Sequence, residues 1–255
     1  APIGYEVGGT GVLQSSVEDA RAAGRWIFEA ENVIDFAWAA DPDYQHTALD
    51  ADGVTLHFSH PADEPYAATW EALPAYTARA MAFLNELIGP YPYPQYSVIQ
   101  GGDGGMEYPM ATLITGQRSL RSLVGVTVHE MAHSWFQAIL ATNESLYEFM
   151  DEGMTSWAEE LCMNHLFAGP ESDERPHRLA YASYISQALS GKEEPLITHA
   201  DHYQTNRAYG VAAYSKGEVL MAQLAAVMGE ELRDAGMQAY FRDWQFKHPG
   251  INDFK

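Results

Sequence analysis

The chain has 255 residues, with 14 Lys and Arg against 35 Asp and Glu, a formal net charge of −21. A hydrophobic content of 47% suits a packed interior and excludes a disordered acidic tail, while the charge excludes nucleic acid as the partner, which needs a basic face. At about 150 residues per domain the length allows one full core with appendages, and Cys162 stands alone, so no intrachain disulfide can form.

No window reaches the ~18 consecutive apolar residues of a membrane span. The first residues, Ala1-Pro2-Ile3-Gly4-Tyr5, lack a Met, a basic stretch and an apolar stretch, which reads as an excised segment or a mature form. The acidity has two readings. One is a solvated, solubilising surface. The other follows from four Lys against ten Arg and an acid excess spread from Asp19 to Asp253, the balance expected of a protein in high salt, where screening relieves self-repulsion.

In chain order, residues 1–60 read as extended and turn-rich. Arg25 to Ala30 and Val54 to Phe58 have strand composition, and Gly8-Gly9, Asp41-Pro42 and Asp52-Gly53 mark turns. Residues 1–50 are expected to be a remnant of a preceding β-rich domain. From Trp70 to Ile88, Leu73, Tyr76, Ala80, Phe83, Leu84 and Leu87 recur at helical spacing until Gly89-Pro90 stops them. Tyr96 to Ile99 and Met110 to Ile114 read as strands around the glycine-rich Gly101 to Gly105. Tyr91-Pro92-Tyr93-Pro94 reads as a rigid turn. Helices are expected over 120–140, 152–167, 176–189, 209–228 and 231–246, and residues 249–255 read as the start of another. The fold class is therefore α+β, a small mixed sheet followed by a mainly helical lobe.

His129-Glu130-Met131-Ala132-His133 lies inside the expected helix 120–140. Residues i and i+4 share one helix face, so both imidazoles can reach one ion, and Glu130 between them can hold a water without ligating. Ten His and 21 Glu in this length give about 0.03 chance occurrences of the pattern. Nitrogen ligands favour Zn²⁺, which for catalysis takes three protein ligands and keeps a fourth position open. For the third ligand, Glu152 opens the next helix after the short stretch from Thr142 to Met150. Glu148, Asp151, Glu159 and Glu160 are competitors. Glu148 is expected in the connecting loop, Glu159 lies two turns along the Glu152 face and suits orienting a His ring, and Glu160 points towards solvent.

Val128 to Phe136, followed by Met150-Asp151-Glu152-Gly153, resembles the gluzincin metallopeptidases, and within them the aminopeptidase N family with its thermolysin-like catalytic domain. Gly105-Met106-Glu107 with Pro109 is similar to that family's Gly-x-Met-Glu-Asn exopeptidase motif, with Tyr108 in place of the Asn. Tyr214-Ser215-Lys216-Gly217 resembles its Tyr-x-Lys-Gly segment, and Trp244 to Pro249 the end of its catalytic domain. The resemblance runs from about residue 66 to the C-terminus, so residues 51–255 are expected to form the catalytic domain, C-terminally truncated.

The resemblance implies a zinc aminopeptidase acting on peptides with a free N-terminus, with one Zn²⁺ per chain on His129, His133 and Glu152. Glu130 would be the general base, Tyr214 the donor to the oxyanion, and Glu107 the anchor for the substrate's α-ammonium. Gly104, Gly105 and Met106 would let the substrate backbone approach an edge strand; no Lys-Ser/Thr follows these glycines, so they do not form a phosphate loop. The alternatives are a zinc endopeptidase on the same core, a non-catalytic zinc-stabilised peptide-binding module, and a hydrolase of non-peptide molecules. His57, His60, His165, His177, His199, His202 and His248 lack ligand spacing, and Cys162 reads as a buried, inert thiol.

Overall fold

The computed structural model describes residues 1–62, 65–102, 104–167 and 175–254; Asp103 of the glycine-rich stretch and Lys255 lie outside them. The chain divides into two compact units, Ala1–Phe83 with Tyr91–Ser134, and Leu84–Pro90 with Trp135–Lys255.

The first unit carries the strands. Two small antiparallel ladders join β1 (Glu6–Gly9) to β4 (Trp38–Asp41) and β2 (Val12–Leu13) to β3 (Phe28–Glu29). The main sheet has the order β5-β6-β7-β9-β8, from β5 (Tyr44–Ala51), β6 (Val54–Pro61), β7 (Gln95–Gln100), β8 (Gly105–Tyr108) and β9 (Ala111–Ile114). β6, β7 and β9 run parallel, and the edge strands β5 and β8 are antiparallel to their neighbours. Asp52 and Gly53, both at positive φ, close the β5–β6 hairpin, the conformation an Asp-Gly pair adopts readily. β5 crosses position 50 and pairs with β6 along its whole length.

Val54, Leu56 and Phe58 alternate into the core from β6, and Tyr96, Val98 and Ile99 follow from β7. Burial of each such side chain contributes about 1.5–3 kcal/mol before conformational entropy is charged against it. Two elements depart from the sequence expectation. α1 (Val17–Ala23) is a helix within the stretch read as extended, capped by Ser16, which accepts from the Asp19 amide, and ended by Gly24 in the left-handed region. β5 lies within the stretch read as extended but was not singled out as a strand, because most of its side chains face solvent and show no apolar alternation.

α2 (Ala67–Leu87) matches the expected helix, and α3 (Leu120–His133) packs on β8 and β9. α3 is buried almost all round: Leu123, Val124, Val128 and Met131 are fully enclosed. The expected helix to residue 140 changes character at Ser134, where a π-helical turn, Ser134–Ile139, continues the chain.

The second unit is helical: α4 (Glu144–Glu148), α5 (Met154–Phe167), α6 (Arg178–Leu189), α7 (Asn206–Gly210), α8 (Gly217–Met228) and α9 (Glu230–Trp244). Two further π-helical turns interrupt the expected pattern, Phe149–Gly153 before α5 and Val211–Lys216 between α7 and α8. Glu148 closes α4 and is buried, in contrast to the loop position expected for it. Cys162 is fully buried, as expected. No helix of the described residues is long and apolar enough to cross a membrane.

Candidate active site

In the first unit α3 presents His129 and His133 one turn apart. Their Nε2 atoms stand 3.2 Å from each other, with ring centroids at 4.9 Å and planes at 78°. Two Zn–N bonds of about 2.0–2.1 Å at a tetrahedral angle set their nitrogens about 3.3 Å apart, so this pair fits two ligands of one such ion. Between them in sequence Glu130 is only 6% exposed. Gly105, the first residue of β8, lies directly against it: a Cβ there would fall into the Glu130 carboxylate and onto Val126. The absence of a side chain at 105 is what lets the edge strand run past the carboxylate of α3.

Glu107 projects from the same edge strand and is 8% exposed, a buried carboxylate rather than a solvated one. Its Oε1 lies 4.0 Å from His133 Nδ1, and single donor atoms of Glu107, Glu130 and His133 all lie within 4.8 Å of one another. Two carboxylates held this close repel, and a cation placed among them relieves the repulsion. Burial keeps the Tyr96 hydroxyl far from ionisation, and the charges of Tyr91, Glu130 and Glu107 reinforce this; sequence reading did not connect Tyr96 to the site. Gly104 is exposed at the entry to β8, and Met106 shows 37% of its surface on the strand.

In the second unit Glu152 and Tyr214 each lie on a π-helical turn, and the Tyr214 hydroxyl donates to Glu152 Oε1 at 2.5 Å. The two turns meet at glycines. A Cβ on Gly153 would stand 2.7 Å from the Gly217 Cα, and one on Gly217 2.8 Å from the Gly153 Cα, so neither position admits a side chain without parting the backbones. Beside this pair the Tyr209 hydroxyl donates to Glu148. Burial, that hydrogen bond and the charges of Glu148, Glu152 and Glu144 all raise the Tyr209 pKa. Sequence reading missed the Glu148–Tyr209 pair. Lys216 forms an ion pair with Glu193 at 2.6 Å and donates to the Glu194 carbonyl at 3.1 Å. Glu159 is half-buried on α5, as is Glu160, which was expected in solvent.

The structure thus gathers His129, His133, Glu130, Glu107 and Gly105 in one unit, and Glu152 with Tyr214 in the other. The family profile described as Peptidase family M1 domain matches residues 75–255. Human aminopeptidase B is 28% identical over 184 residues, covering 67% of this chain and 28% of that protein. Leucine aminopeptidase 2 of Emericella nidulans is 26% identical over 201 residues, covering 73% and 31%. The chain therefore spans about three-tenths of the length of these curated relatives.

Among solved structures, the M1 zinc metallopeptidase from Deinococcus radiodurans superposes with a TM-score of 0.76 at 18% identity, over 98% of this chain and 56% of that one. Yeast LTA4 hydrolase in complex with bestatin gives 0.74 at 16%, over 97% and 40%. At these identities the likeness is one of fold, and it agrees with the α+β architecture. The profile match covers well over half of the sequence: this chain belongs to the peptidase family M1.

Proposed function

We propose that this chain is the catalytic portion of a zinc-dependent aminopeptidase that removes N-terminal residues from peptides, with one Zn²⁺ per chain on His129, His133 and Glu152. The family membership and the names of the curated relatives support the reaction class. The observation that carries the exopeptidase reading is the second buried carboxylate. Glu107 sits with Glu130 and His133, where an internal peptide bond would offer it no counter-charge. An α-ammonium offers one.

Zinc, when bound, supplies a Lewis acid that acidifies water and polarises the scissile carbonyl. Glu130 takes the proton of the attacking water on its carboxylate and hands it to the leaving amine. The Tyr214 hydroxyl donates to the carbonyl oxygen as charge develops there. Glu107 pairs with the α-ammonium and so fixes the cut at the first peptide bond. Gly104, Gly105 and Met106 offer backbone along the open edge of β8 to the substrate. Glu159 orients one of the ligand rings.

The test is metal analysis of the purified chain, coupled to a panel of aminoacyl chromogenic substrates with and without chelator. We expect one zinc per chain and activity that is lost with the metal and restored by zinc. The reading is overturned if the zinc-loaded chain cleaves acetylated peptides internally as fast as free ones, or if it binds zinc and cleaves nothing.

A further inference from the structure

Arg118 belongs to no motif in the sequence, yet it holds together three pieces of the first unit. Its Nη2 donates to the Gly104 carbonyl at 2.9 Å and to Thr115 Oγ1 at 2.7 Å. Its Nε donates to the Thr115 carbonyl and hydroxyl, both at 3.0 Å, and its Nη1 to Ser122 Oγ at 3.3 Å. Gly104 is the residue before β8, Thr115 the residue after β9, and Ser122 lies in the first turn of α3. One rigid, planar guanidinium therefore ties the entry of the edge strand to the exit of its neighbour and to the helix that carries His129, Glu130 and His133.

We propose that Arg118 is the positioning residue that sets β8 against α3 for docking of the substrate's N-terminal backbone, an inference that rests on the aminopeptidase reading above. Among the described residues the strand pairs on one side only, and the glycines before it carry no side chain to fix them. Its ladder with β9 begins at Gly105, opposite Ile114, and the residue before that is held at the Gly104 carbonyl, to which Arg118 donates at 2.9 Å as the charged donor and Thr115 Oγ1 at 3.4 Å. The placement is demanding, because Gly105 passes so close to Glu130 that even a methyl group would collide. Glu107, two residues on, takes its position from the same strand. Arg118 acts on the substrate only through β8, so its loss leaves the chemistry of Glu130 in place and loosens the docking of the ammonium and the first peptide bond.

The experiment uses the zinc-loaded chain and compares wild type, Arg118→Met and Arg118→Lys. Aminoacyl p-nitroanilides give KM and kcat, and hydrogen exchange of the segment 101–108 reports the strand directly. We expect Arg118→Met to raise KM about tenfold with kcat within about twofold and zinc content unchanged, since a charge-assisted hydrogen bond is lost away from the reacting atoms. Exchange in 101–108 should quicken, and Arg118→Lys should recover part of both effects because it keeps a charged donor group without the planar fork. The proposal is overturned if KM and exchange stay at wild-type values. It is equally overturned if kcat, zinc content and thermal stability all fall together with no recovery by Lys, which is the signature of general structural loss. If the wild type cleaves no free-amine substrate, the aminopeptidase reading fails, and exchange alone decides the clamp: unchanged exchange rejects it and faster exchange supports it.

Discussion

The Tyr214 hydroxyl donates to Glu152 Oε1 at 2.5 Å, joining two π-helical turns that are 62 residues apart in sequence. A π turn inserts an extra residue and re-aims the side chains around it, at an energetic cost that is retained chiefly where function needs the new direction. Here one turn ends at Gly153 and Gly217 directly follows the other, and the two glycines let the backbones approach closely enough for the hydroxyl to reach the carboxylate. If Glu152 is the metal ligand proposed above, this donor fixes which of its oxygens remains for the ion.

Tyr214→Phe removes one hydroxyl and almost no volume. In the proposed reaction kcat should fall by ~10²–10³, the usual cost of removing one donor to a developing oxyanion. Because the same hydroxyl holds Glu152, zinc affinity should also fall, by less than about tenfold, while thermal stability stays near wild type. Steady-state kinetics under saturating zinc, beside a zinc titration with a competing chelator, separate the two effects. Unchanged kcat would reduce Tyr214 to a packing residue.

The glycine contact makes a paired prediction. Gly217→Ala must push the turns apart, because its Cβ meets the Gly153 Cα at 2.8 Å and the Phe149 side chain at 3.1 Å. Overpacking of this kind costs about 1–3 kcal/mol. Gly210→Ala, on the helix just before, meets nothing within 4 Å and should be neutral or stabilise by about 0.4–1 kcal/mol through the unfolded chain. Urea unfolding of both variants checks the sign of each. Equal effects would mean that the close approach does not constrain the turns.

The hairpin of β5 and β6 carries a pH response. His46 Nε2 and His57 Nδ1 lie 3.0 Å apart, with their rings stacked at 5.2 Å. Burial first, then the neighbouring His46, lowers His57 from 6.5 to about 4. Burial also lowers His46, with Glu6 and Glu18 opposing the shift and Arg21 adding to it. The unfolded chain protonates His57 near pH 6.5 and the folded chain only near pH 4, so between these values the unfolded state binds more protons. Stability from this group is full above about pH 6.5 and is lost as the pH falls to about 4, on the order of 3 kcal/mol in all. Unfolding of wild type and His57→Gln at about pH 7 and about pH 4.5 should show a smaller acid loss in the variant. Parallel losses would place the acid sensitivity elsewhere.

What sequence shows and what it hides follows from how local each feature is. His129 and His133 are readable because helix periodicity alone puts i and i+4 on one face, and the Gly-Met-Glu run is readable because its residues are contiguous. α1 was equally local: Ser16 three residues before Asp19, with Gly24 beyond, is a capping signal that the strand-like reading of residues 1–60 passed over. β5 was not readable, since an edge strand with most of its side chains in water leaves no alternating pattern. The π turns carry no composition of their own, so Glu152 was placed at a helix start instead of on a widened turn. Arg118 and the Glu148–Tyr209 pair depend on chain segments that only the folded backbone brings together.

In the proposed function, Glu107 is the residue that separates cleavage at the end of a peptide from cleavage within it. Its carboxylate is 8% exposed and shares its surroundings with Glu130 and His133, so it is costly to leave without a counter-charge. A free α-amine is an ammonium at neutral pH and supplies that charge where the first peptide bond must lie. Glu107→Gln keeps the size and one hydrogen-bonding oxygen but removes the charge. Breaking a buried charge pair costs about 2–5 kcal/mol, so kcat/KM on free-amine substrates should fall by at least ~30-fold. Acetylated peptides should be poor substrates for wild type, because they leave the carboxylate buried and unpaired. The variant should not lose further activity on them, having no charge left to strand. Zinc content, measured in parallel, should be retained, which separates loss of the anchor from disturbance of His133, 4.0 Å away. If acetylated and free peptides are cut at equal rates by wild type, and Glu107→Gln changes neither, the ammonium anchor is wrong and the core works as an endopeptidase.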